Sequence, residues 1–152
     1  MMTQLTFTLP KIDREETKKT VESILERYRL FLLQVPETKI PKVTATYSLV
    51  PPHFGNEFHS STESAAIEKV DYERQRDAFL QRIQKAVNRL ALKERQIIIE
   101  RYMSPEEQYD YEVYNKLGMS ERGYYRVKGK AFYKLAFALN LKIFEEELLE
   151  AK

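Results

Sequence analysis

Leu117-Gly118-Met119-Ser120, followed by Glu121-Arg122-Gly123-Tyr124-Tyr125-Arg126-Val127-Lys128-Gly129-Lys130-Ala131, decides the reading of this chain. A glycine that tolerates positive φ can stop one helix, and Met119 then closes the corner. Ser120 can accept a hydrogen bond from the first free N–H groups of a second helix. That is the composition of the tight turn inside a helix-turn-helix. Many helical hairpins share four such residues, so the helix beyond them carries the argument.

At 100° per residue, with Tyr124 at zero, Val127, Ala131, Leu135 and Ala138 fall within roughly 60° and form an apolar stripe. Arg122, Arg126 and Tyr133 fall within about 20° of the opposite pole, flanked by Gly129 and Lys130. Lys128 lies closer to the apolar side and is expected to snorkel outward. Between Ser120 and Lys142 stand Arg122, Arg126, Lys128, Lys130, Lys134 and Lys142 against Glu121 alone, although the whole chain carries only +2. A polyanion responds to such local clustering more than to the sum. Arginine offers a planar fork that fits guanine, and lysine meets phosphate as a point charge. Because the first turns of the second helix reach the bases, Arg122, Tyr125 and Arg126 are the expected base readers. Lys130, Lys134 and Lys128 are expected to position the protein on the phosphate backbone, and Tyr133 to touch phosphate or a thymine methyl.

Working outward, helices are expected over about 111–117 and 93–102, the latter with Ile97, Ile98 and Tyr102 inward. A longer one is expected from about residue 62 to 89, with Val70, Phe79, Ile83 and Val87 recurring at helical spacing. Asp13 can cap a helix over 13–34, which Pro36 ends. Residues 1–12 alternate like a strand up to Pro10, and a last helix is expected over 141–150. The 35–62 stretch holds four of the six prolines. Within it Val43, Ala45, Tyr47 and Leu49 alternate and could pair as a brief strand. The expected organisation is all-α: residues 1–34 as an N-terminal helical arm, 35–62 as a partly mobile connector, and 63–152 as a helix-turn-helix DNA-binding domain. The 13–34 and 141–150 helices need partners for their apolar sides, either their own domain, a second copy of the chain or a polymerase.

The chain resembles known proteins over part of its length. Leu90-Ala-Leu-Lys-Glu-Arg-Gln-Ile-Ile-Ile-Glu-Arg-Tyr102 is similar to the opening of sigma-factor region 4 domains, with Leu92, Arg95, Ile97, Arg101 and Tyr102 on the shared pattern. Lys116 to Ala131, with Lys134-Leu-Ala-Phe-Ala-Leu139 beyond it, resembles the ArpU family of phage transcriptional regulators found in prophages of Gram-positive bacteria. The resemblance implies a sigma-region-4-like fold and a regulator of late phage genes, including packaging and lysis functions, acting at a promoter in the cytoplasm of a bacterial host cell. It carries the DNA-contacting role onto Ser120, Arg122, Tyr125, Arg126 and Lys130. Gly123 and Gly129 depart from the family pattern, and each costs a helix about 1 kcal/mol relative to alanine. The helix is therefore expected to firm up on DNA.

Other chemistry finds little support in the residues. There is no cysteine, hence no disulfide or thiolate metal site, and a reducing cytosol is the expected location. The N-terminus has no signal-peptide pattern, and no apolar run approaches the roughly 20 residues that span a bilayer. No phosphate-binding glycine loop and no nucleophile–base pair stand out, so neither an enzyme nor a cofactor is expected. His53, Glu57 and His59 share the connector without a geometry that would hold a metal. Glu106, Glu107, Asp110 and Glu112 are expected to be a solvated acidic loop. Double-stranded DNA is the expected partner, with RNA polymerase and a second copy of the chain as further ones and no membrane. Two other functions fit the same residues: a DNA-binding component of phage packaging, and a protein–protein adaptor whose tyrosine-rich helix face binds protein rather than DNA. Salt separates the last from the first two, because phosphate contacts weaken steeply as salt rises.

Overall fold

The computed structural model describes residues 14–51 and 64–141. The expected first strand, the Asp13 cap, the histidine pair and the 141–150 helix lie outside the described residues, apart from Leu141. Within them the fold is helical: α1 is Arg14–Leu32, α2 Ser64–Asn88, α3 Leu92–Ile98, α4 Asp110–Lys116 and α5 Glu121–Ala138. A π turn, Ile99–Met103, carries α3 onward, and the only sheet among the described residues pairs β1, Lys42–Val43, with β2, Leu49–Val50.

Most of the core gathers around α5. Val21, Leu25, Tyr28 and Leu32 of α1 meet Leu80, Ile83 and Val87 of α2. Ile98, Ile99 and Tyr102 close one side, and Ala131, Phe132, Leu135 and Ala136 of α5 fill the middle. The inward face of α1 is thus in the same core as α5, where the sequence suggested an arm. Its spacing of three and four residues makes a stripe that only another helix can cover, and α5 and α2 supply it. Arg29 of α1 also donates to the carbonyls of Arg101 and Ser104, each at 2.8 Å. These carbonyls at the end of the π turn have no partner within a helix of their own.

A second, smaller cluster of Ile97, Val113 and Tyr124, with Leu117, Met119 and Val127 around it, ties α3, α4 and the start of α5 together. Ile97, Ile98 and Tyr102 are inward as expected.

The single brief strand expected through Val43, Ala45, Tyr47 and Leu49 is instead a hairpin folded on itself, with Val43 opposite Leu49, Lys42 opposite Val50 and Tyr47 at φ +55° in the turn between them. Its described part, residues 35–51, is fastened down. The Asn88 amide both donates to and accepts from the Leu49 backbone, at 2.9 and 2.8 Å. The Arg95 guanidinium donates to the carbonyls of Tyr47 and Thr46, both at 3.0 Å. Two polar side chains of the helical body thus bond the backbone of Thr46, Tyr47 and Leu49.

Candidate nucleic-acid interface

The turn between α4 and α5 follows directly from its residues. Gly118 sits at φ +66°, a conformation that costs glycine nothing. Its N–H donates to the Asn115 carbonyl at 3.2 Å, and the Met119 N–H reaches back to Tyr114 at 2.8 Å. These two bonds make a Schellman motif, which satisfies carbonyls at the end of α4. Ser120 Oγ then accepts from the Gly123 N–H at 3.1 Å and caps α5. The helix continues unbroken through Gly123 and Gly129.

Along α5 the buried residues are Tyr124, Lys128, Ala131, Phe132, Leu135 and Ala136. The centre of this arc lies roughly 50° from Tyr124, rotated toward Lys128. Consequently Val127 is half-buried and Ala138, expected inward, is exposed. The rotation has a physical cause: α5 packs on α1 and α3 at once and must bury a wider arc than one neighbour requires.

The opposite face carries most of the expected contact residues. Arg122, Arg126 and Lys130 are exposed, as are Tyr125 at 47% and Tyr133 at 43%. Among the described residues Arg122, Arg126 and Lys130 have no ion-pair partner. Ser120 is exposed at the same end, with its hydroxyl engaged as the cap. Lys134 is exposed too, but its ammonium lies 2.9 Å from Glu94 Oε1, a carboxylate that also accepts from the Ala91 N–H at the start of α3.

Lys128 departs from the expectation. It is 6% exposed and does not snorkel. Its ammonium lies 2.9 Å from Asp110 Oδ1 and within 5.4 to 5.9 Å of the rings of Tyr102, Tyr124, Tyr125 and Phe132. Asp110, expected in a solvated acidic loop, is the reason: as the first residue of α4 it brings a carboxylate to the inner side of α5. The Tyr124 hydroxyl donates to the same oxygen at 2.6 Å, and Arg101 Nε lies 3.3 Å away without hydrogen-bond alignment.

The pair is not symmetric. Burial pushes the Asp110 carboxyl up, but the bonds from Tyr124 and Lys128 and the charges of Lys128 and Arg101 outweigh it and hold it below the usual range. Burial pulls Lys128 below the usual lysine range, and the bond and charge of Asp110 restore only part of that. A partly exposed acid therefore gains from a contact that a buried base makes at a cost. For a carboxyl depressed in the folded state, the stability it adds is complete above the unfolded value of about 3.9. It is lost as pH falls through the lower folded value. Melting temperatures of wild type and Asp110→Asn should accordingly converge as the pH is taken from about 6 to about 3. A constant gap across that range would mean that the Asp110 charge adds nothing.

The structure also brings together residues that the sequence did not single out. Arg14, Thr17 and Lys18 of α1 face α5 across an open groove of about 670 Å³, whose other wall includes Arg126, Gly129 and Lys130. No local signal marks these three, since the approach of α1 to α5 spans more than 100 residues of chain. Among the described residues no group of histidine, aspartate and glutamate could hold a metal, and no helix is long and apolar enough to cross a membrane.

Fold and surface together define a small helical protein that presents one basic, tyrosine-bearing helix face behind a tight turn. Over 137 residues, 90% of this chain and 96% of the relative, it is 37% identical to the phage-related protein Lin1259/Lin1739 of Listeria innocua. It is 29% identical over 140 residues to protein Gp66 of Listeria phage A118, again covering 90% of this chain and 96% of the other. The chain belongs to the family of the Listeria innocua protein, a family of phage-related proteins. No family model matches the chain, and no solved structure matches it significantly.

Proposed function

We propose that this protein binds double-stranded DNA through the outward face of α5 and regulates transcription of phage late genes. The observation that carries the reading is the outward face itself. Arg122, Arg126 and Lys130 are exposed together without ion-pair partners among the described residues, on a helix whose start is held by a glycine-stopped, serine-capped turn. A helix presented in this way fits the major groove, with Arg122, Tyr125 and Arg126 toward base edges and Lys130 and Tyr133 toward phosphates. Lys134 reaches phosphate once it exchanges Glu94 for it. The phage-related relatives support a phage association, and the resemblance to the ArpU family and to sigma region 4 favours a regulator of late phage genes, acting by binding rather than catalysis in the bacterial host. RNA polymerase and a second copy of the chain are the partners such a regulator would use.

The test is binding of the purified full-length chain to duplex fragments from its own genomic neighbourhood, at two salt concentrations. Tight, salt-sensitive binding to a promoter fragment supports the regulator, and tight binding only at a packaging start site moves the role to packaging. A folded protein that binds no fragment overturns the DNA reading and leaves a protein–protein adaptor. On the preferred fragment, Arg126→Ala should cost about 1–3 kcal/mol and relax the preference at one base position. Equal weakening on every sequence would make Arg126 a phosphate contact instead.

A further inference from the structure

The groove between α1 and α5 has features that the packing of the fold does not account for. Both its walls are basic. Arg14 and Lys18 on α1 and Arg126 and Lys130 on α5 line it, none has an ion-pair partner among the described residues, and no carboxylate appears in its described lining. Gly129 lies mid-helix, where glycine weakens a helix relative to alanine. A Cβ built on it would meet nothing within 4 Å, so nothing in the fold requires a glycine there. A missing side chain there leaves room for close approach by something outside the chain.

We propose that one phosphodiester strand of duplex DNA runs along this groove, clamped between Arg14 and Lys18 of α1 and Lys130 of α5. Gly129 leaves room for the sugar–phosphate chain. The inference rests on the reading that α5 enters the major groove, and it adds to that reading a second element, α1, that grips the flanking backbone. A helix in the major groove has a phosphate strand alongside it, and contacts to that strand fix register without reading sequence. Arg126 stands where the two roles meet, on the groove wall and on the outward face.

The experiment measures affinity of the full chain for a random-sequence duplex and for its preferred fragment across a salt series. Arg14→Ala/Lys18→Ala is compared with Lys69→Ala/Lys85→Ala, which removes two exposed lysines of α2 and the same charge. Each phosphate contact contributes about 0.9 to the slope of log affinity against log salt. The α1 double variant should therefore show a slope shallower by about 1.8 and weaken by the same factor on both duplexes, while the α2 control keeps the wild-type slope. A fourfold rise in salt should then cost the α1 variant roughly tenfold less affinity than it costs wild type. Gly129→Ala should melt higher than wild type yet bind several-fold more weakly, a combination that damage to the fold cannot produce. If the two double variants behave alike while wild type binds, or if Gly129→Ala binds like wild type, the groove is not the strand's path, and the reading of α5 stands. If wild type shows no salt-dependent affinity for any duplex, both fall.

Discussion

Leu135→Asp is expected to unfold the described fold as a whole. Leu135 is 0% exposed, and its cluster is built by α1, α2, the α3 region and α5 together. Truncating a buried leucine costs about 2–5 kcal/mol, because contacts are lost and a cavity remains. The aspartate must in addition hold a charge without a partner or take up a proton, which adds several kcal/mol more. Domains of this kind are stable by about 5–15 kcal/mol, so the sum removes most or all of the margin. Circular dichroism of the full chain at 25 °C, with a urea titration, is the check, and the helical signal should be largely lost in one step. Two steps, the first small, would show instead that α1 and α2 form a core that stands without α5.

That expectation depends on a contact that the sequence does not reveal. The turn was legible because every determinant is local: Gly118 meets a positive φ, Ser120 meets a free N–H, and both act within four residues. The orientation of α5 was legible to within about 50°, since an apolar stripe declares the side but not how many neighbours share it. Arg122, Arg126, Lys130 and Tyr133 survive that uncertainty because they lie outside the buried arc. Tyr125 lies at about 100°, within the arc by angle, and is nonetheless 47% exposed in the first turns of the helix.

What lay at the edge was misplaced. Ala138 is exposed and Lys128 is buried, and both follow from α1 packing on the other flank of α5. The acidic stretch divides in the same way. Glu106 and Glu107 are exposed as expected, whereas Asp110 turns inward. A lysine inside an apolar stripe, with a carboxylate opening the preceding helix, is the one signal that could have announced this pair. Composition describes residues 35–51 as loop, but Asn88 and Arg95, remote in sequence, decide that the loop is held.

Asp110→Ala should be the most destabilising single change outside the apolar core, and a far larger one than Lys128→Met. With the carboxylate gone, the Lys128 ammonium, on a side chain only 7% exposed, loses its bonded anion and keeps only the unbonded charge of Glu22, set against that of Arg101. Removing one partner of a buried ion pair in this way costs about 3–5 kcal/mol. The reverse change leaves Asp110 less stranded. Its side chain is 24% exposed, the Tyr124 hydroxyl still donates at 2.6 Å, and Arg101 still lies 3.3 Å away. Methionine packs well among aromatic rings, so Lys128→Met should cost less than about 2 kcal/mol. Asp110→Ala/Lys128→Met should then be more stable than Asp110→Ala alone, the coupling that a double-mutant cycle reads. Urea unfolding of the four proteins measures all of this, and equal losses for the two single variants would show that the lysine stabilises the pair as much as the acid does. DNA binding supplies the second half of the test. A folded Lys128→Met should keep the wild-type salt slope, because the ammonium serves Asp110 rather than a phosphate. A slope shallower by about 0.9 would mean that Lys128 leaves its carboxylate to meet the backbone when DNA is bound.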